Sequence, residues 1–180
     1  RLVRAHGFDR NLRFAKRKEL QKKFLINSAF YSRYTFYDLG FNLRPTEINA
    51  FIGNVQLKYI DGVIKKRRDN FIRMAEVIYK NENYFPIKYD HIDLVSNFAF
   101  PIVCKSQKIR DELVKKCKDR IEIRPIVGGD MTQQIFFKKY MSEFQGLDTN
   151  AKLVHEQGLY FGNNPELTDG EIETILDVFK

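Results

Sequence analysis

A glycine, an amide and a guanidinium stand directly before a helix in the segment Gly40-Phe41-Asn42-Leu43-Arg44-Pro45-Thr46-Glu47. That order suits anion binding: a helix amino terminus carries a partial positive charge and N–H groups without intrahelical partners, and Asn42 and Arg44 add donors for a phosphate. The same residue types also suit a plain turn, with Asn42 capping the chain and Arg44 facing water. No self-contained catalytic set accompanies them. The three histidines are scattered, and no serine or cysteine sits in a nucleophile motif. Cys104 and Cys117 form neither a CxxC pair nor a ligand-spaced cluster, so no metal site and no disulfide framework is indicated, and the expectation is a reducing cytoplasm. Gly128-Gly129 lacks the rest of a phosphate-binding loop and reads as a turn.

The elements that must position these residues are those of a mixed chain. Its 180 residues, 43% hydrophobic and 30% charged, suffice for one substantial core, hence one domain or one and a piece. The net charge of +8 is concentrated: residues 1–23 hold nine Arg and Lys against Asp9 and Glu19, which is +7. Such a cluster is a solvated arm, an anion site or, with aromatics interleaved, a nucleic-acid-binding module, although no recognised nucleic-acid motif accompanies it. No apolar run approaches the ~20 residues of a membrane span. The start at Arg1-Leu2-Val3-Arg4, without an initiator Met or a secretory apolar stretch, fits a piece of a longer protein.

Residues 12–36 show neither a 3.6 nor a period-2 pattern and read as a long irregular connection, packed on something outside the chain. From Pro45, Ile48, Phe51, Ile52, Val55 and Tyr59 repeat at helical spacing. Asp61-Gly62 should interrupt that helix and start a second, with Ile64, Phe71, Ala75 and Ile78 on its inner face. A strand is expected over residues 95–104, with Phe98, Phe100, Ile102 and Cys104 on one face and Pro101 arguing for an edge position. A short helix through Ile109, Leu113 and Cys117 and a strand at residues 121–124 follow. Further short helices over 133–140 and 149–157, a strand at 159–161, and a last helix opened by a Thr168/Glu171 capping box complete the pattern. The fold class is α/β or α+β, with the boundary near Gly62 dividing residues 1–61 from a carboxyl-terminal domain of 62–180.

Two stretches make the sequence recognisable. Residues 40–50, continuing through Gly53, Gln56-Leu57, Asp61 and Arg67-Arg68, resemble the DegT-type nucleotide-sugar aminotransferase family, and Arg4-Ala5-His6-Gly7 resembles the Arg-x-His-Gly that follows that family's cofactor-lysine region. The resemblance implies a homodimeric fold-type-I protein dependent on pyridoxal 5'-phosphate (PLP) or pyridoxamine 5'-phosphate (PMP), with active sites shared between subunits. Residues 1–61 would be the tail of the large cofactor domain, and 62–180 the small domain, a small antiparallel or mixed sheet with packed helices. By the same resemblance, Asn42 reaches the neighbouring subunit's site and binds the cofactor phosphate, and Arg44 is a second contact there or at the substrate. Arg10 is assigned to the phosphates of a nucleotide-sugar.

Residues 123–130, Ile-Arg-Pro-Ile-Val-Gly-Gly-Asp, stand where ordinary sugar aminotransferases carry a His-Tyr type sequence, and look like the sugar 3-dehydratase branch. Leu159-Tyr160-Phe161-Gly162-Asn163 is also similar to that branch. Arg124 then contacts the substrate, or else simply ends a strand in solvent. The expected activity is dehydration or transamination of a nucleotide-linked 4-keto-6-deoxyhexose in lipopolysaccharide or deoxysugar biosynthesis, with glutamate as amino donor. The family's catalytic lysine, a histidine in the dehydratase branch, lies upstream of Arg4-Ala5-His6-Gly7. No catalytic residue is therefore nominated, and the fragment alone is expected to be inactive.

Overall fold

The computed structural model describes residues 2, 6–10, 12–41, 47–143 and 150–180. Their helices are α1 (Phe14–Lys23), α2 (Glu47–Leu57), α3 (Ile60–Ile78), α4 (Gln107–Cys117), α5 (Ile135–Tyr140), α6 (Asn150–Gln157) and α7 (Asp169–Phe179). The strands are β1 (Tyr84–Phe85), β2 (Ala99–Cys104), β3 (Ile123–Pro125) and β4 (Gly158–Gly162), in one sheet of order β1-β2-β4-β3. The chain divides into two units: Arg1–Pro45 with Arg124–His155, and Thr46–Ile123 with Glu156–Lys180.

The second unit is the small antiparallel sheet with packed helices that the sequence anticipates. β2 alternates, burying Phe100, Ile102 and Cys104, and pairs antiparallel with β4 from Ala99↔Gly162 to Val103↔Gly158. The Phe100 ring stacks on Phe161 at 5.2 Å, and Phe161 meets Phe179 of α7 at 4.8 Å. α3 adds Phe71, Met74, Ala75 and Ile78, and α7 adds Ile172, Ile175 and Val178. The capping box is present: Glu171 accepts from the Thr168 backbone N–H at 2.8 Å, and the Thr168 hydroxyl accepts from the Glu171 N–H at 3.3 Å. Burial pushes the Cys104 thiol up to about 12 and that of Cys117 to about 11, so both behave as small core hydrophobes.

Four expectations require correction. Residues 12–36 are not irregular: they contain α1 and a 3-10 turn, Tyr31–Tyr34. α1 buries no residue, so it has no apolar period to read; good intrinsic helix formers such as Ala15, Lys16, Glu19, Leu20 and Gln21 build it. The helix break falls at Lys58-Tyr59, and α3 runs through Asp61-Gly62. Phe98 lies outside β2 and is exposed. Pro101 sits in an inner strand, yet β1 reaches only Val103 and Cys104, so at Pro101 that side of β2 carries no ladder bond to lose. The helix α2 forms as the spacing predicts, and it buries none of its residues: Ile48 is 71% exposed and Phe51 69%.

Asn163 shows why the Leu159-to-Asn163 segment ends in an amide. Fully buried, its side chain donates to the carbonyls of Arg67 at 2.9 Å and Asn97 at 3.1 Å, while its backbone N–H donates to Phe98 at 2.8 Å. Alanine there removes two part-buried hydrogen bonds, and the expected loss is about 2 kcal/mol, measurable by urea unfolding of the variant.

Candidate functional site

The two recognisable motifs meet backbone to backbone. The Tyr37 N–H donates to the Gly7 carbonyl at 3.0 Å, and the His6 N–H donates to Phe41 at 3.5 Å. Gly7 takes a φ of +82°, and a Cβ there would lie 1.9 Å from the Asp38 carbonyl oxygen. A Cβ on Gly40 would lie 2.4 Å from the Gly7 nitrogen. Both glycines are thus required by close approach, and at Gly7 by the left-handed backbone as well. Asn42 and Arg44, the cofactor-phosphate candidates, lie outside the described residues.

The two substrate candidates do come together, on Tyr34. The Arg10 guanidinium sits between the faces of Phe8, 4.7 Å from the ring centre, and Tyr34, 4.8 Å away, and donates to the Arg33 carbonyl at 2.8 Å. From β3, Arg124 donates to the Tyr34 hydroxyl at 3.2 Å. One tyrosine therefore orients both arginines, one through its π face and one through its oxygen. Sequence reasoning missed Tyr34 and Phe8; the only signal was the density of aromatics around Arg10 and in residues 30–36.

The stretch from Tyr31 to Asp38 is fastened at nearly every side chain within the first unit. Tyr31 stacks on His155 at 5.2 Å and 15°, and its hydroxyl donates to the His155 carbonyl at 2.9 Å. The Phe36 N–H donates to the Gln134 side chain at 3.1 Å, and Gln134 in turn donates to the Gly128 carbonyl at 3.1 Å. Gly128 lies at a bend with a φ of +74°, and that bend is tied to the site. The Tyr37 hydroxyl, pushed up by burial and by the adjacent Asp9 carboxylate, bonds Asp9 at 3.2 Å. Of the aromatics expected to pack outside the chain, Phe36 and Tyr34 pack inside this unit, whereas Phe14 is exposed.

Asp38 closes this stretch. Its carboxylate accepts from Lys139 at 2.8 Å and from the Tyr140 hydroxyl at 2.7 Å, which holds the carboxyl down at about 2 against an ordinary 3.8. A depressed carboxylate stabilises the fold above its unfolded value, and that contribution drains away as the pH falls from 3.8 through about 2. Lys139→Ala is expected to return the Asp38 midpoint toward 3.8, which a carboxyl-carbon NMR titration reads directly. Asp130 is held low too: burial alone would raise it, but the Thr132 hydroxyl at 2.7 Å, the Thr132 N–H and Gln133 outweigh burial.

Two hollows border this region, one lined by Tyr34 and the other by Arg10. One, of about 190 Å³, is lined by Tyr31, Tyr34, Pro125, Gln133, Gln134 and His155 among others. The second, of about 400 Å³, lies along α1 and includes Arg10; Ile26 borders both. The smaller hollow holds no lysine to bond a cofactor aldehyde and no carboxylate to face a pyridine nitrogen. The described residues alone do not form a complete PLP cradle.

Known proteins bear out the resemblance. The chain is 30% identical, over 99% of its length, to a GDP-4-keto-6-deoxy-D-mannose 3-dehydratase of Yersinia pseudotuberculosis, of which it covers 45%. A solved GDP-4-keto-6-deoxymannose-3-dehydratase variant with bound GDP-perosamine superposes with a TM-score of 0.61 and 29% identity, over 99% of this chain and 46% of that one. The same kind of enzyme with a trapped PLP-glutamate adduct gives 0.59 and 28%, with the same coverage. The chain spans about half the length of the curated relatives it matches. The family model matches it over residues 1–180, and the chain belongs to the DegT/DnrJ/EryC1/StrS aminotransferase family.

Proposed function

We infer that the chain is the carboxyl-terminal part of a PLP- or PMP-dependent enzyme that removes the C3 hydroxyl from a nucleotide-linked 4-keto-6-deoxyhexose, in lipopolysaccharide or deoxysugar biosynthesis. The observation that carries this reading is the convergence of Arg10 and Arg124 on Tyr34, because it brings together the two residues that the sequence assigns to the substrate. Its support from relatives is the 3-dehydratase with bound GDP-perosamine, aligned over nearly the whole chain. When bound, the cofactor supplies an electron sink for bond breaking beside the reacting carbon. This chain's share is to hold the ligand: Arg10 toward the nucleotide's phosphates, Arg124 toward the sugar, and Asn42 with Arg44 toward the cofactor phosphate.

The reading includes glutamate as amino donor, a cytoplasmic location, a large-domain tail over 1–61 and a small domain over 62–180. It also includes a homodimer with shared sites, consistent with the apolar side chains that α2 leaves uncovered. In the assembled enzyme, Ile48→Asp with Phe51→Asp is expected to turn a dimer into a monomer by light scattering without unfolding the chain, because neither side chain is buried. The decisive experiment is to express the coding sequence with whatever precedes it, supply GDP-4-keto-6-deoxymannose, PLP and glutamate, and identify the product by mass spectrometry. A sugar lacking the C3 oxygen supports dehydration. A 4-amino sugar supports the aminotransferase alternative, and an unchanged substrate in a PLP-free protein sinks both.

A further inference from the structure

We propose that the outer edge of β2 carries a built-in guard against strand addition: Pro101, the Tyr79 hydroxyl and the Asn97 amide close the stretch that β1 leaves open, and keep a second copy of this chain from pairing there. The device lies wholly within the second unit and is independent of the functional reading above.

β2 needs such a guard. β1 is two residues long and pairs only Tyr84↔Cys104 and Phe85↔Val103, so the first part of β2 has a neighbour in β4 and none on its other side. Residues 98–104, Phe-Ala-Phe-Pro-Ile-Val-Cys, contain no charge and combine aromatic with β-branched side chains. That is the composition of a segment that pairs with copies of itself, and Pro101 is its one breaker. Phe98 and Phe85, at the two ends of the open stretch, are both exposed. An uncharged edge with apolar surroundings is a template for another strand.

The hydrogen bonds show which groups that edge presents. The Lys105 N–H donates to the Asn83 carbonyl at 2.8 Å, one step beyond the β1 register, so Lys105 and, by the alternation of an antiparallel ladder, Val103 turn their backbone groups toward β1. At the other end the Asn163 N–H donates to the Phe98 carbonyl at 2.8 Å, so Phe98, Phe100 and Ile102 face β4. Ala99 and Pro101 are therefore the positions of β2 whose backbone points outward beyond the reach of β1.

Both are answered. Pro101 has no N–H to offer, and its carbonyl accepts from the Tyr79 hydroxyl at 3.0 Å. The Ala99 carbonyl accepts from the Asn97 side-chain amide. Tyr79 cannot readily swing away, because its ring stacks on the buried Phe100 at 5.0 Å and 28°. Burial also pushes its phenol up, so it stays a donor across the ordinary pH range. Among the described residues, the Ala99 N–H is what this stretch leaves for an incoming strand. Such a strand would have to break two hydrogen bonds in order to remake them, and would gain one.

The test is sedimentation velocity on the chain, with Ile48→Asp and Phe51→Asp present throughout so that the α2 stripe does not drive association. Tyr79→Phe with Pro101→Val frees one carbonyl and restores one N–H while keeping a ring on Phe100. The association constant is expected to rise at least about tenfold over that of the parent. Tyr79→Phe alone is the milder variant if the pair alters the circular dichroism, and should give a smaller rise. Hydrogen exchange then locates the contact: in the associated double variant the amides at positions 99 and 101 should slow, and should return to fast exchange on dilution. Thr168→Ala removes the capping box of α7 and weakens the same unit without touching the edge, so it should leave association unchanged. The proposal is overturned if the double variant keeps both the parent's fold and its association state, or if Thr168→Ala associates as strongly. It is equally overturned if the amides at 99 and 101 exchange as fast in the associated form as in the dilute one.

Discussion

Alanine at position 7 is expected to cost the protein about 3 kcal/mol or more, one of the largest effects of any single substitution in the chain. Two penalties coincide there. The left-handed backbone of Gly7 disfavours any Cβ, and the added carbon would fall 1.9 Å from the Asp38 carbonyl, a backbone atom that cannot rotate aside. Either the turn unwinds or the 37–40 stretch is driven off, and with it go the hydrogen bonds that join His6 to Phe41 and Tyr37 to Gly7. Gly40→Ala meets the same obstacle from the other side, at 2.4 Å from the Gly7 nitrogen. The two substitutions should be strongly non-additive, since the first already breaks the contact that the second would break. Denaturant unfolding of both single variants and the double checks this. If Gly7→Ala melts like the parent, the motif contact is not what holds this region.

Tyr34→Ala should produce the second large effect, on ligand binding. Removing the side chain takes away the ring under Arg10 and the oxygen that receives Arg124, so both arginines lose their orientation together. A cation–π contact and a charge-assisted hydrogen bond are together expected to be worth about 2 kcal/mol here, or roughly thirtyfold in the Kd for GDP. Tyr34→Phe separates the contributions: it keeps the face that supports Arg10 and drops only the hydroxyl, and should cost no more than about tenfold. Equal affinities for parent, Tyr34→Phe and Tyr34→Ala would mean that the arginine pair does not meet the nucleotide.

Where the chain buries a face, the sequence was readable. α7, with its capping box and the buried Ile172, Ile175, Leu176 and Phe179, lies as its spacing predicts, and so does the alternation of Phe100, Ile102 and Cys104 in β2. Periodicity reports an apolar face rather than helicity itself, which explains why the pattern failed at α1. α1 is a helix with nothing to bury, and its residues looked irregular. α2 has a strong apolar period and was legible as a helix, although among the described residues none covers its stripe enough to bury it. The candidate site was half legible. Arg10 and Arg124 could be nominated from motif position, but Tyr34, Gly7 against Gly40, and Asp38 with Lys139 join residues far apart in the chain. Local spacing carries no information about such pairings.

Because Gly7 and Gly40 touch, everything between them leaves and returns through a single doorway. A detour whose two ends are already pinned can lengthen at small thermodynamic expense, about 0.6 kcal/mol for each doubling. Arg10, assigned to the nucleotide, and Tyr34, which orients it, both ride on that detour. Nature, or an engineer, could therefore exchange the excursion as one cassette and retune ligand preference while leaving the glycine clasp as it is.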